Sequence, residues 1–454
     1  MTIFDAFAYF LKRLLLTGEQ AAPPLNAVEA VGFYLTAVIG ALFTLCYAYQ
    51  FFYLFVALWV KPRRFEPVLP TRRYAVVIAA RNEAAVLPML IDSIKHQTYP
   101  EALTEIFVVA DNCTDDTAAA ARRAGATVFE RCDQTRVGKG YALAFLFDRI
   151  RESRGLYAFD GYLFFDADNV LRPDFIEQMS YAHAAGYRVI TSYRNSKKYG
   201  KSWISAGYSL WFLRESRHLQ NPRAILSCSA AISGTGFLVD RAVIEQYGGW
   251  RHFLLTEDIE FTADCILHGE CIGYCHAAEL FDEQPETLAQ SWRQRKRWAK
   301  GMFQVIRHYG KGLLAGALRF RWSSFDMLMN ITPAFVLSSV QLIATLFLLL
   351  LNWAVNGVIS TVLLQCLADF LIFGYGIFLV LGAIALISEW RRVCCPKPRA
   401  VLLLFTFPLF MLTYIPISLC AFFSRRVEWK PVEHRHAMTA SDVEKGRTVP
   451  KKRQ

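Results

Sequence analysis

The sequence predicts a mostly parallel α/β domain carried between membrane helices, and three observations lead to that class. Long apolar runs occupy both ends of the chain while the charged residues gather in the middle. That middle alternates short apolar runs with helix-like stretches, the pattern of a parallel sheet covered on both faces. One run, Tyr162–Asn169 (YLFFDADN), is apolar without alternation and ends abruptly in carboxylates. A strand buried on both faces reads this way, and open α/β sheets bind their ligands at the carboxyl ends of such strands.

In chain order, residues 1–27 carry Phe4, Phe7, Phe10, Leu11, Leu14 and Leu15 near helical spacing, interrupted by Lys12 and Arg13. An interfacial helix suits that pattern better than a span. Residues 28–60 are uncharged after Glu29 and exceed the ~20 residues a bilayer requires. Lys61, Arg63 and Arg64 follow at once and place the far end of this span in the cytosol. Residues 61–290 read as the water-compatible α/β domain. Strands are expected at Tyr74–Ala80, Glu105–Ala110, Thr127–Glu130 and Tyr162–Phe165. Helices are expected from Arg81 onward (RNEAAVLPMLIDSIKHQ), at Asp115–Ala124 and at Tyr141–Arg151. Residues 291–324 read as amphipathic interfacial helices and 325–424 as membrane helices, with spans near Ile331–Trp353, Leu363–Ile387 and Ala400–Phe423.

The uncharged link Asn352–Gly357 fits an outside loop, and Glu389–Arg399, with Arg391, Arg392, Lys397 and Arg399, fits an inside one. A third full span would put the basic tail outside. Pro408 and Pro416 offer the other solution, a broken re-entrant segment that returns the tail to the cytosol. Residues 425–454 read as a polar, largely disordered tail.

Composition narrows the partners. The formal net charge is +11, and much of the excess flanks the apolar runs, which fits membrane lipids. No basic motif carries the interleaved aromatics of nucleic-acid binding, so none is expected. The eleven cysteines show no paired framework and fit a reducing cytosol. Cys265, Cys271, Cys275 and His276 cluster loosely, but their spacing matches no common zinc pattern.

Asp166 and Asp168 stand two apart, so in strand geometry they face one bound species. Two such anions tolerate each other best around a hard cation, Mg²⁺ or Mn²⁺, shared with substrate phosphates. A solvated turn is the plain alternative. Asp111 ends the second strand in ADNCTDDT, and Glu83 lies just past the first in AARNEA. Either can accept hydrogen bonds from a base edge or a ribose hydroxyl, although Asn82 and Glu83 equally suit a helix cap. Lys139, between glycines in VGKGYAL, fits a diphosphate contact or an exposed loop. Thr256, Glu257 and Asp258 open a helix-like stretch, where a carboxylate is either a cap or an ionised base. Gln294, Arg297 and Trp298 share a helical face in WRQRKRWAKG, suited to a diphosphate and a sugar ring or to lipid headgroups.

In order and spacing, Glu83, Asp111, Asp166-x-Asp168, Thr256-Glu257-Asp258 and Gln294-x-x-Arg297-Trp298, bracketed by spans, resemble the membrane-integrated family 2 glycosyltransferases. That group includes the cellulose, hyaluronan, chitin-oligosaccharide and poly-N-acetylglucosamine synthases. The resemblance runs from Tyr74 to about Gly310. It implies a cytosolic GT-A domain in the plasma membrane, using a UDP-sugar. Glu83, Asp111 and Lys139 would contact the nucleotide, Asp166 the nucleotide sugar, and Asp168 the divalent metal. Asp258 would be the general base. Thr256, Glu257, Gln294, Arg297 and Trp298 would line the acceptor and diphosphate side, and Ser233–Phe237 (SGTGF) would form the acceptor loop.

No gating-loop pattern of the cellulose-synthase type follows Trp298, and no room remains for a C-terminal cyclic-dinucleotide domain. RWAKGMFQV looks closer to the poly-N-acetylglucosamine type. The expected activity is inverting, metal-dependent extension of a β-linked polysaccharide from UDP-GlcNAc or UDP-Glc. The growing chain would cross the membrane past Gln341, Trp353 and Gln365. The alternatives are single transfer to a lipid, such as a polyprenyl phosphate or a ceramide, and a catalytically inactive subunit that binds nucleotide sugars.

Overall fold

The computed structural model describes residues 25–393 and 395–424. The expected interfacial helix before Leu25 and the polar tail after Ser424 lie outside the described residues. The first element is α1 (Ala27–Trp59). Asn26 and Glu29 start it with a capping box, each side chain accepting the other's backbone N–H at 2.9 and 3.1 Å. Large apolar side chains such as Leu45, Phe51 and Phe55 lie exposed along it, as lipid-facing positions require.

Three β–α units and a fourth strand follow: β1 (Tyr74–Ala80), α2 (Leu87–Lys95), β2 (Thr104–Asp111), α3 (Thr117–Arg123), β3 (Thr127–Arg131), α4 (Lys139–Ser153) and β4 (Gly161–Asp166). The four expected strands are present. The helix expected from Arg81 starts only at Leu87, because Asn82 takes a left-handed φ of 58° and turns the chain. Alternate residues of β1 enter opposite cores. Ala75 and Val77 pack with Leu143, Leu146 and Phe147 of α4, while Val76 and Ile78 pack with Leu87, Leu90 and Ile91 of α2. Each such large side chain contributes about 1.5–3 kcal/mol on burial.

The remainder of the sheet is β5 (Val170–Leu171), α5 (Phe175–Ala184), β6 (Val189–Ser196), α6 (Trp203–Arg214), α7 (Asn221–Ile225), β7 (Phe237–Asp240), α8 (Arg241–Tyr247), α9 (Glu257–Leu267) and β8 (Ile272–Asp282). Eight strands run in the order β3-β2-β1-β4-β7-β6-β8-β5. β7 is antiparallel to both neighbours, whereas β6 and β8 are parallel.

The chain returns through α10 (Leu288–Leu318) and α11 (Trp322–Ile331) to α12 (Pro333–Asn356) and α13 (Thr361–Ser388). Among the described residues three helices are long and apolar enough to cross a membrane: Ala27–Trp59, Trp322–Asn356 and Thr361–Ser388. The last segment is broken into α14 (Lys397–Leu404), α15 (Phe407–Leu412) and α16 (Tyr414–Phe423), with a bend of 44°. Its breaks fall four residues before Pro408 and Pro416, where a proline ring clashes with the i−4 carbonyl and removes its hydrogen bond.

Buried polar contacts dock the domain on the helices. Arg223 holds Asp326 of α11 with two hydrogen bonds at 2.7 and 2.8 Å, and Tyr49 and Tyr53 of α1 donate to the same carboxylate. Tyr193 of β6 donates to Glu389 at 2.8 Å, and the Arg392 guanidinium lies 3.8 Å from the Tyr193 ring centroid.

Candidate active site

Parallel pairing aligns the carboxyl ends of β1, β2 and β4: Ala80 pairs with Ala110 and Ala79 with Asp166. Glu83, Asp111 and Asp166 therefore leave the sheet along one edge. Asn82 does not cap a helix; its Oδ1 accepts the Thr114 N–H at 2.8 Å. The Glu83 N–H donates to Thr117 Oγ1 at 2.8 Å, so the loops after β1 and β2 are braced together. Asp111 is buried and accepts from Arg131 Nη1 at 2.5 Å. Arg131, its register partner on β3, was not singled out in the sequence; strand register is the signal that finds it.

β4 ends at Asp166, and the next residues turn, with the Asn169 N–H donating to the Asp166 carbonyl at 3.1 Å. The two-residue alternation expected to aim both carboxylates at one point therefore stops before Asp168. Asp166 turns to Lys139, whose ammonium donates to it at 2.5 Å and to the Gly234 carbonyl at 2.7 Å. Asp168 is buried, its Oδ2 accepting the Glu283 N–H at 3.0 Å. Asp282, which the sequence reading missed, sits beside it. Burial pushes the Asp282 carboxyl up to about 6 although Arg194, donating at 2.6 Å, pulls it down; the Asp168 charge adds to the rise.

The glycine-bearing loop closes the centre of this edge. Gly234 and Gly236 take φ of 83° and 66°, a left-handed conformation open to glycine. Thr235 Oγ1 accepts the Asp166 N–H at 2.9 Å and donates to Asn169. A Cβ on Gly234 would lie 3.5 Å from Asp258 Oδ2.

Glu257 and Asp258 form the first turn of α9. Lys139 lies 3.6 Å from Glu257. That approach depends on Gly140, where a Cβ would stand 2.1 Å from the His252 carbonyl. Burial pushes Glu257 up to about 7 against the pull of Lys139, with Asp258 adding to the rise. Burial also raises Asp258, while the Ile259 N–H, Lys139 and Arg297 oppose it. Lys139 is lowered by burial but held higher overall by Asp166, Glu257 and Asp258. The structure thus gathers Lys139, Asp166, Glu257 and Asp258 into one coupled cluster.

Helix α10 covers it. Arg297 Nη1 donates to the Leu255 carbonyl at 3.0 Å, and Thr256 seats against Gly301, where a Cβ would stand 2.5 Å from Thr256 Oγ1. Trp298, the next residue, is rotated about 100° around the helix and packs edge-on to Tyr208 at 5.8 Å. Gln294 Oε1 is buried without a hydrogen-bond partner among the described residues. Arg297 faces the carboxylates, and Trp298 faces the side of the broken membrane segment, where Phe410 packs on Tyr208 at 4.9 Å.

Among the described residues, no group of three or more His, Cys, Asp or Glu gathers as a self-sufficient metal site. The Asp168 carboxylate fits a cation of another kind: Mg²⁺ is characteristically held by one or two carboxylates together with substrate phosphates.

Residues 70–301 match the family described as "Glycosyltransferase like family 2". The beta-monoglucosyldiacylglycerol synthase of Nostoc sp. (strain PCC 7120) is 25% identical over 277 residues, covering 59% of this chain and 57% of that protein. The poly-beta-1,6-N-acetyl-D-glucosamine synthase of Staphylococcus epidermidis is 22% identical over 272 residues, covering 57% of this chain and 62% of that protein. The chain thus matches little more than half the length of these relatives. The mannosyltransferase PcManGT of Pyrobaculum calidifontis, solved with GDP-Man and Mn²⁺, shares the fold at a TM-score of 0.55 and 18% identity, covering 86% of this chain and 100% of that one. The match over residues 70–301 takes in half of the chain, and the chain belongs to glycosyltransferase family 2.

Proposed function

We propose that the protein is an inverting, divalent-cation-dependent glycosyltransferase that moves a sugar from UDP to an acceptor hydroxyl at the cytosolic face of the plasma membrane. One observation carries this reading: the Asp258 carboxylate lies against the glycine loop, within a cluster of Lys139, Glu257 and Arg297. Burial makes Asp258 a stronger base than a solvated aspartate, and a base is what an alcohol nucleophile needs. Asp258 takes the acceptor proton as the hydroxyl oxygen attacks the anomeric carbon. The bond from that carbon to the phosphate oxygen breaks, and UDP leaves with its electron pair. Arg297 and Lys139 offset charge on the departing diphosphate. A Mg²⁺ or Mn²⁺ ion at Asp168 would neutralise the diphosphate when bound. Glu83 and Asp111 serve the nucleotide, with Arg131 fixing Asp111.

The membrane segments favour a lipid acceptor over a translocated polymer. The positions expected to line a glycan path are engaged otherwise. The Gln341 amide donates to Thr36 and Thr345 at 2.9 and 3.0 Å, Gln365 donates to Asp369 at 2.7 Å, and Trp353 is exposed. The relative named for glucosylation of diacylglycerol supports the same choice. Polymer extension remains the second reading, favoured by Trp298 beside the Arg297 site and by the poly-N-acetylglucosamine synthase relative. Incubating the membrane-extracted protein with a panel of UDP-sugars and lipids, then sizing the products, tests both. A lipid carrying one sugar is the expected product, and a long glycan would decide for extension.

A further inference from the structure

Two lysines stand at the carboxylate edge, and they differ in their partners. Lys139 donates to Asp166 and to the Gly234 carbonyl. Lys197 is only 3% exposed, yet its ammonium has no hydrogen-bond partner among the described residues. It follows the last residue of β6, and its backbone N–H donates to the Asp282 carbonyl at 2.9 Å. That places it beside the loop whose Glu283 N–H holds Asp168. The charges that act on its side chain across space are Asp168, Glu283, Asp282 and Glu83. Of these, Asp282 accepts from Arg194, and Asp168 Oδ2 accepts the Glu283 N–H. With Lys198, Lys201, Ser205, Glu283, Gln284 and Glu286, Lys197 lines a small recess at this edge.

A buried ammonium without a partner is costly unless a bound anion satisfies it. Resting on the glycosyl-transfer reading above, we propose that Lys197 binds a diphosphate oxygen of the nucleotide-sugar donor, on the Asp168 side of the site. An ammonium with three free protons suits a phosphate oxygen, which accepts charge-assisted hydrogen bonds.

The test is calorimetric binding of UDP and GDP to the detergent-extracted full chain, with Mg²⁺ and in EDTA. Lys197→Gln is expected to bind the preferred nucleotide about 10-fold more weakly under both conditions, the value of one charged hydrogen bond. Lys197→Arg, which keeps the charge, should return to within about threefold of wild type. Folded Lys197→Gln with wild-type affinity, or Lys197→Arg as weak as Lys197→Gln, overturns the assignment. Should Lys197→Gln not fold, the wild type decides: inorganic diphosphate in EDTA must raise its melting temperature, and no rise overturns the proposal. A wild type that binds neither UDP nor GDP overturns the donor reading itself.

Discussion

The two halves of the sheet meet at β4 and handle charge differently. In β3-β2-β1-β4 every pair is parallel, the strands are joined by short crossovers, and the polar groups stand at the strand ends. In β7-β6-β8-β5 parallel and antiparallel pairs are mixed, and charge is carried inside: Arg194, whose guanidinium stacks 3.8 Å from the Phe212 ring centroid, meets the buried Asp282. The first half is a scaffold with a polar rim. The second half has polar chemistry built into its core, so changes there combine stability with function.

Arg194→Leu should break this contrast most strongly. It leaves Asp282 buried without its cation, a loss on the order of 3–5 kcal/mol, visible as a large drop in melting temperature. Next comes Asp168→Ala, which should weaken UDP binding about 10-fold in Mg²⁺ and little in EDTA; equal loss in both would remove Asp168 from the metal.

Much of the first half was legible because it is local. YAVVIAA, EIFVVA and YLFFD are continuous apolar runs, and each delivers its carboxylate at its own end. The second half was not legible. β7 is four residues long, and β8 (IGYCHAAELFD) carries glycine and histidine and shifts register at Ser192/Tyr193 of β6. Arg194, Lys197 and Asp282 acquire meaning only when β6 and β8, distant in sequence, pair. Arg131 was hidden for the same reason on a smaller scale. The strand's end at Asp166 is set by the turn through Asn169, which an apolar run does not announce.

pH sharpens the comparison. Two raised carboxyls stand on α9 and β8: burial pushes Glu257 from 4.5 to about 7 and Asp282 from 3.8 to about 6. Groups raised in the folded state bind protons more tightly there than when unfolded. Their contribution to stability is full below about pH 4 and is lost as pH rises through about 6 to 7. The melting temperature should carry that downward slope, and Glu257→Gln should flatten its upper part. The smallest effect belongs to the scaffold rim. Asn82→Ala removes one brace between loops and should cost about 0.5–1.5 kcal/mol, with nucleotide affinity falling more than the melting temperature.

The account rests on Asp258 as the group that takes the acceptor proton. Asp258→Asn preserves the shape of the side chain and removes the base. Transfer from UDP-sugar and UDP affinity should therefore be measured on the same purified variant. The prediction is a fall in transfer of about 10²–10⁴-fold with UDP affinity within about threefold of wild type. A variant that retains transfer within about tenfold of wild type would contradict the assignment.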